Sequence, residues 1–331
     1  MKSSSKLFTK VFLFLLFLSN SYSVKAEIND YIYPNQLPSF SNYGTIGLLN
    51  NPSARFLDEG SLGFAWNHMQ PYLRGSLVAY PFNWFEASFQ YTDINNQLYS
   101  EFQSFSGNQT FKDKSFDIKL KLMNETEVMP ALALGFRDLA GTGIFSSEYL
   151  VASKRINNFD LTLGLGWGML SGNDITNPLT RISDRFKVRK IVDGTKGGEF
   201  SVDSYFSGEM GVFGGIEWYL PYLNGARIKI EYDGIDYSKE GFPPVKQAKK
   251  INAGIVYPFS ERLQLKLGLI RGNTLNFGFT YSANFSKKNS FIPKLDPHEP
   301  VENAEVLKMI NTDNDEFLFK SSLKYLADRN L

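Results

Sequence analysis

The chain has 331 residues, 35 Lys and Arg against 34 Asp and Glu, and no Cys. Without thiols it carries neither a disulfide framework nor a thiolate zinc site. A formal charge of +1 offers no electrostatic footprint for nucleic acid.

Lys2, Lys6 and Lys10 precede an apolar run from Val11 to Leu18, and a polar stretch then ends in Val24-Lys25-Ala26. This is the pattern of a signal peptide cleaved after Ala26, and the run is far shorter than the roughly 20 residues a spanning helix needs. Residues 27–60 read as an N-terminal periplasmic or plug-like segment.

Between Ser61 and Phe285 no apolar helical stripe persists, whereas period-two alternation recurs, the mark of strands with one apolar and one polar face. About twelve strands are expected. The first six are Ser61 to Met69, Tyr72 to Tyr80, Trp84 to Ile94, Lys114 to Leu122, Ala131 to Asp138 and Glu148 to Arg155. The rest are Phe159 to Gly168, Glu209 to Leu220, Ala226 to Tyr232, Lys250 to Tyr257, Leu263 to Arg271 and Thr274 to Phe285. Phe159, Leu161, Leu163, Leu165 and Trp167 share one face, opposite Asp160, Thr162, Gly164 and Gly166. Phe85, Ala87, Phe89 and Tyr91 oppose Glu86, Ser88, Gln90 and Thr92 in the same way. Tyr72 to Tyr80 and Glu148 to Arg155 have mixed faces.

A secreted sandwich would bury the apolar face in one core, whereas a membrane barrel turns it to lipid and lines its interior with small, polar and charged residues. The polar faces carry the charges, including Lys119, Lys121, Arg227, Lys229 and Glu231, which favours the barrel. Backbone groups in lipid must all be paired, so such a sheet closes on itself. The fold class expected is therefore all-β: a transmembrane antiparallel up-and-down barrel over residues 61–285, with a short helical periplasmic tail in 286–331. The long connections, Asn95 to Asp113, Met169 to Gly208 and Asp233 to Lys249, fall on one side and mostly short ones on the other, as in outer-membrane barrels. Trp66, Trp84, Trp167 and Trp218 near strand ends suggest an interfacial girdle.

The segments YGTIGLLNNPSARFLDEGSLGF from Tyr43, YPFNWFEASFQYTDI from Tyr80, KDKSFDIKLKL from Lys112 and PALALGFRDLAGTGIFSSEYLVASKRINNFDLTLGLGWG from Pro130 resemble the YjbH-type outer-membrane proteins. The resemblance covers residues 43–285, the first barrel half of such proteins. It implies a barrel in the bacterial outer membrane, associated with exopolysaccharide and capsule production and without established catalytic residues.

Candidate lumen or glycan contacts are Glu86, Asp117, Lys119, Lys121, Arg137, Glu217, Arg227, Lys229 and Glu231, a mixed-charge lining able to hydrogen-bond sugar hydroxyls. Their plainer role is to satisfy neighbouring side chains. Arg137 and Asp138 read as a rim ion pair or a substrate contact. Leu139 to Phe145 is too apolar for a free loop and reads as packed into the barrel mouth. In the loop from Met169, the residues Arg181, Arg185, Lys187, Arg189 and Lys190 oppose only Asp184, a local +4. Such a loop can hold lipopolysaccharide phosphates or acidic sugars, fold inward as a constriction, or remain solvated. His68 and His298 are too far apart in sequence to suggest a metal site, and His68 lacks the serine two residues on that an outer-membrane acyl hydrolase would pair with it. No catalytic residue, metal or cofactor is assigned. The expected partners are outer-membrane lipids and lipopolysaccharide, polysaccharide and periplasmic export components, and no nucleic acid. The function expected is non-catalytic assistance to exopolysaccharide secretion or surface assembly; the alternatives are a general porin and a lipid-modifying enzyme.

Overall fold

The computed structural model describes residues 37–172, 175–190, 202–221, 223, 225–238, 245–286 and Lys324. The expected signal peptide, the expected linker and tail after Ser286 apart from Lys324, His298, and residues 191–201 of the basic loop lie outside the described residues.

Twelve strands run up and down in chain order: β1 (Ser61–Met69), β2 (Tyr72–Phe82), β3 (Phe85–Leu98), β4 (Thr110–Met123), β5 (Ala131–Arg137), β6 (Ser147–Ile156), β7 (Phe159–Trp167), β8 (Met210–Tyr219), β9 (Arg227–Tyr232), β10 (Ile251–Pro258), β11 (Leu263–Ile270) and β12 (Thr274–Asn284). Each pairs with its neighbours, and β1 pairs with β12, so the sheet is a closed barrel. The seam runs in register from Ser61 opposite Asn284 to Met69 opposite Asn276. Closure removes the open edges that would leave N–H and C=O groups unpaired. Among the described residues, no helix is long and apolar enough to cross a membrane, which leaves crossing by strands open.

The alternation resolves into two walls. Leu77, Phe116, Leu163, Ile230, Leu267 and Phe277 point outward and are exposed, while Glu86, Ser88, Gln90, Lys119, Lys229 and Glu231 point inward and are buried. The mixed-face strands follow the same rule. On β2, Tyr72, Arg74, Ser76, Val78 and Tyr80 all face inward, and on β6 so do Tyr149, Val151 and Ser153. Their inward apolar side chains look misplaced only if the interior is taken to be wet. They have an apolar partner there: they pack against residues 40–57, which lie inside the barrel.

The β3–β4 hairpin extends further than the alternation indicates, to Leu98 opposite Thr110, beyond a register shift after Ile94. Its sequence there, Asn95-Asn96-Gln97, gives no apolar period. Connections β2–β3, β4–β5, β6–β7, β8–β9 and β10–β11 define a turn end; the long connections after β3, β7 and β9 define a loop end.

Two expectations are corrected. Trp167 is not an outward girdle residue: it is 6% exposed and meets Phe206 edge to face at 5.2 Å, because the long loop folds back over the end of β7. Trp84 and Trp218, by contrast, are exposed at the turn end, stacked on Phe82 and Phe159 at 5.5 and 5.7 Å. Arg137 and Asp138 do not form an ion pair. Arg137 donates to Asn50 O at 2.8 Å, while Asp138 adopts φ 50° and accepts from Phe145 N at 3.1 Å. Successive strand positions point to opposite sides, and the left-handed backbone at Asp138 turns its side chain back into the rim.

Candidate functional site

The barrel interior is occupied by the chain's own residues 37–60. They enter at the turn end, where Gln264 Nε2 donates to Leu37 O at 3.2 Å and Lys266 Nζ to Phe40 O at 3.1 Å. Bridges pairing Phe40 with Ile46 and Gly47 with Pro52 fold them into a compact hairpin. Its tip lies among β5, β9 and the residues after β9. The chain then returns to the turn end, where Gly60 N donates to Tyr80 O at 2.8 Å and β1 begins.

The inward charges engage this hairpin chiefly through its backbone. Glu231 accepts the N–H groups of Leu49, Asn50 and Asn51 at 2.9, 2.8 and 3.2 Å, so one carboxylate serves three consecutive donors. Lys229 Nζ donates to Gly47 O and Leu48 O at 2.5 and 3.1 Å. Lys119 Nζ donates to Arg55 O at 2.9 Å and forms an ion pair with Glu86 at 2.9 Å. Tyr80 Oη also donates to Glu86, at 2.5 Å. Glu217 accepts from Ser39 Oγ and from Arg227, each at 3.3 Å. Asp117 accepts Asp138 N at 2.8 Å, and Lys121 lies 5.0 Å above the Phe56 ring. A charged group taken out of water must be paired or hydrogen-bonded, and here a loop's otherwise unsatisfied peptide groups supply the partners.

Side chains lock the return limb. Arg55 holds Asp160 through Nε to Oδ2 at 2.8 Å and Nη2 to Oδ1 at 2.7 Å, and its Nη1 reaches Glu125 at 2.5 Å. Such a two-pronged grip fixes direction as well as charge. Asn50 Nδ2 donates to Asp233 Oδ2 and meets Tyr237 Oη, each at 3.0 Å. The barrel wall makes room where it lacks side chains. A Cβ on Gly63 would lie 2.5 Å from the Phe40 ring, and Cβ atoms on Gly215 and Gly254 would lie 2.7 and 2.9 Å from Leu48 and Leu49.

All nine candidate lumen residues share the interior, but their present partners are the hairpin, one another or neighbouring rim residues. Of the basic loop, Arg189 turns inward and grips Glu148 at 2.7 and 2.9 Å. Lys187 and Lys190 form exposed pairs with Asp184 and Asp203 at 2.7 and 2.9 Å. Arg185 donates to Val202 O at 2.8 Å, and Arg181 is exposed. The hairpin, not this loop, fills the space between the strands. Leu139 to Phe145 closes over the mouth, with Phe145 buried against Tyr43 and Tyr72 at 6.3 and 5.8 Å. His68 faces outward beside Trp66. Among the described residues, no group of three His, Asp or Glu could hold a metal ion.

The sequence offers residues 27–60 as a periplasmic or plug-like segment, but it does not single out Ser39, Phe40, Leu48, Asn50 or Arg55 within it as the residues that fill the lumen. Two signals were present: the Gly47 to Pro52 turn composition, and inward glycines spaced along several strands, which leave a void that something must fill.

The chain matches the family model described as exopolysaccharide biosynthesis protein YbjH, of the YjbH family, over residues 39–324. It is 40% identical over 257 residues to the uncharacterized lipoprotein YjbH of Escherichia coli K12, covering 77% of this chain and 36% of that protein. The chain thus spans little more than a third of the length of that relative. Among solved structures, a Rhodopseudomonas blastica porin mutant aligns at TM-score 0.27 and 11% identity, covering 64% of this chain and 55% of the porin. The NanC porin aligns at TM-score 0.31 and 8% identity, covering 67% and 98%. The barrel itself is read from the strand pairing, independently of these alignments.

Proposed function

We propose that this chain, which belongs to the YjbH exopolysaccharide-biosynthesis family, is a non-catalytic outer-membrane barrel that assists exopolysaccharide secretion or surface assembly, with residues 37–60 as its internal stopper. The observation that carries the reading is the seal. Charged wall residues hold the stopper mainly by its peptide groups, which a glycan's hydroxyls can replace, since both offer donors and acceptors of similar strength. With the stopper withdrawn, Glu86, Asp117, Lys119, Lys121, Arg137, Glu217, Arg227, Lys229 and Glu231 would line a polar passage. The apolar outer wall with stacked aromatics at the turn end supports placement in a bilayer. The partners in this reading are outer-membrane lipid and lipopolysaccharide, the polysaccharide itself, and periplasmic export components reached through residues 287–331.

Bilayer conductance of the full chain, compared with a chain lacking residues 40–56, tests the stopper. The full chain should stay closed and the deletion should conduct steadily; conduction by the full chain would favour the general-porin reading instead. Exopolysaccharide release from cells carrying each form tests the role. Release unchanged when the gene is removed would sink it.

A further inference from the structure

A second site lies on the outside of the barrel, away from the stoppered lumen. At the loop end of β3 and β4, the outward residues Tyr91, Lys112, Lys114 and Phe116 form the floor of a cleft of about 680 Å³. Tyr99 and Phe105 overhang it from the β3–β4 hairpin, stacked at 6.4 Å, and residues 140–142 form a third side. The cleft is graded. Phe116 meets Phe89 at 5.0 Å on its apolar side, toward the barrel waist. Above them are two ammonium groups and one nearby carboxylate. Lys112 is taken by Asp93 at 2.7 Å, while Lys114 is exposed and has no carboxylate partner among the described residues. Lys112 also donates to Thr110. Tyr99 and Phe105 are 51% and 77% exposed, and Phe111 stacks on Tyr99 from the hairpin at 6.3 Å, so the rings present an exposed aromatic shelf.

Two ammonium groups against one carboxylate above outward aromatics, on a wall that otherwise faces lipid, are complementary to one kind of molecule: an amphiphile with an anionic head. We infer that this cleft binds the phosphorylated sugar headgroup of an outer-leaflet glycolipid. The phosphate sits on Lys114, with Lys112 beside it. The sugar lies against Tyr99 and Phe105, and an acyl chain runs down past Tyr91 and Phe116. The inference rests on the outer-membrane placement proposed above, with the loop end at the cell surface. Its consequence is that the barrel is anchored to the surface glycolipid by its wall and not by the basic loop.

The test uses the full chain in detergent, titrated with bisphosphorylated lipid A, with dephosphorylated lipid A and with phosphatidylglycerol, bound lipid being read by native mass spectrometry. Lys114→Glu should weaken lipid A binding on the order of tenfold or more, the loss of a charge-assisted contact. Lys190→Glu, in the basic loop, should leave it unchanged. Equal weakening by both variants, equal binding of dephosphorylated lipid A, or equal binding of phosphatidylglycerol would each overturn the inference. Heat-modifiable gel mobility of each variant establishes that it is folded. Fractionation separates the two readings: a chain found in the outer membrane that fails to bind lipid A defeats the cleft alone, whereas a chain absent from that membrane defeats the placement.

Discussion

Glu231 on β9 accepts the peptide N–H of Asn50 at 2.8 Å, across 181 residues of sequence. The same carboxylate takes Leu49 and Asn51, so a single wall residue holds the tip of the inner hairpin. Replacing it by Ala leaves three buried donors without an acceptor. Each such loss costs about 1–3 kcal/mol where water cannot enter. Glu231→Ala should therefore loosen the hairpin without opening the sheet, read as new protease cleavage within residues 40–56 while the barrel band on a gel persists.

Arg55 anchors the other end. Arg55→Ala strands Asp160, whose side chain is only 5% exposed, and the expected loss is about 3 kcal/mol. A lower temperature of barrel unfolding would report it. Adding Asp160→Asn to Arg55→Ala should recover part of the loss, because the uncompensated charge is then gone.

Gly63 gives Phe40 its place. An alanine there would put a carbon 2.5 Å from the ring tip, so the buried ring must shift. Gly63→Ala should cost about 1–3 kcal/mol in the natural chain and close to nothing beside Phe40→Ala. A double-mutant cycle on thermal unfolding measures this; equal costs in both backgrounds would contradict the packing described.

Asp138 sets a pH dependence. Burial, then the charges of Asp113 and Asp117, push its carboxyl up to about 8 from 3.8. A raised carboxyl favours the folded state in its protonated form. Its contribution is fully present below the ordinary value and is lost as pH climbs through the folded one. Unfolding midpoints should thus fall between pH 5 and pH 8, by at most about 1.4 kcal/mol per pH unit. Asp138→Asn, which tolerates the left-handed backbone at this position, should flatten that slope.

His68 lies outward in β1 beside Trp66, with no bond to the inner hairpin. His68→Ala should leave exopolysaccharide release intact and shift stability by no more than about 0.5 kcal/mol. Lost release with an unchanged fold would revive the enzymatic reading.

The sequence by itself determined the wall. A strand turns each successive side chain to the opposite face, so the run from Phe159 to Trp167 writes its two faces directly into residue order, and the strand limits follow to within a few positions. That Lys119, Lys229 and Glu231 face inward was legible for the same reason. What they hold was not. The partner of Glu231 lies 181 positions away and contributes peptide groups, which every residue possesses and no side-chain pattern announces. Only closure of the barrel brings residues 37–60 inside, turns Tyr149 and Val151 from apparent exceptions into packing surface, and sets Lys112 and Lys114 together on the outer wall. Periodicity is local and survives in one dimension, whereas the filling of a cavity depends on what the whole ring encloses.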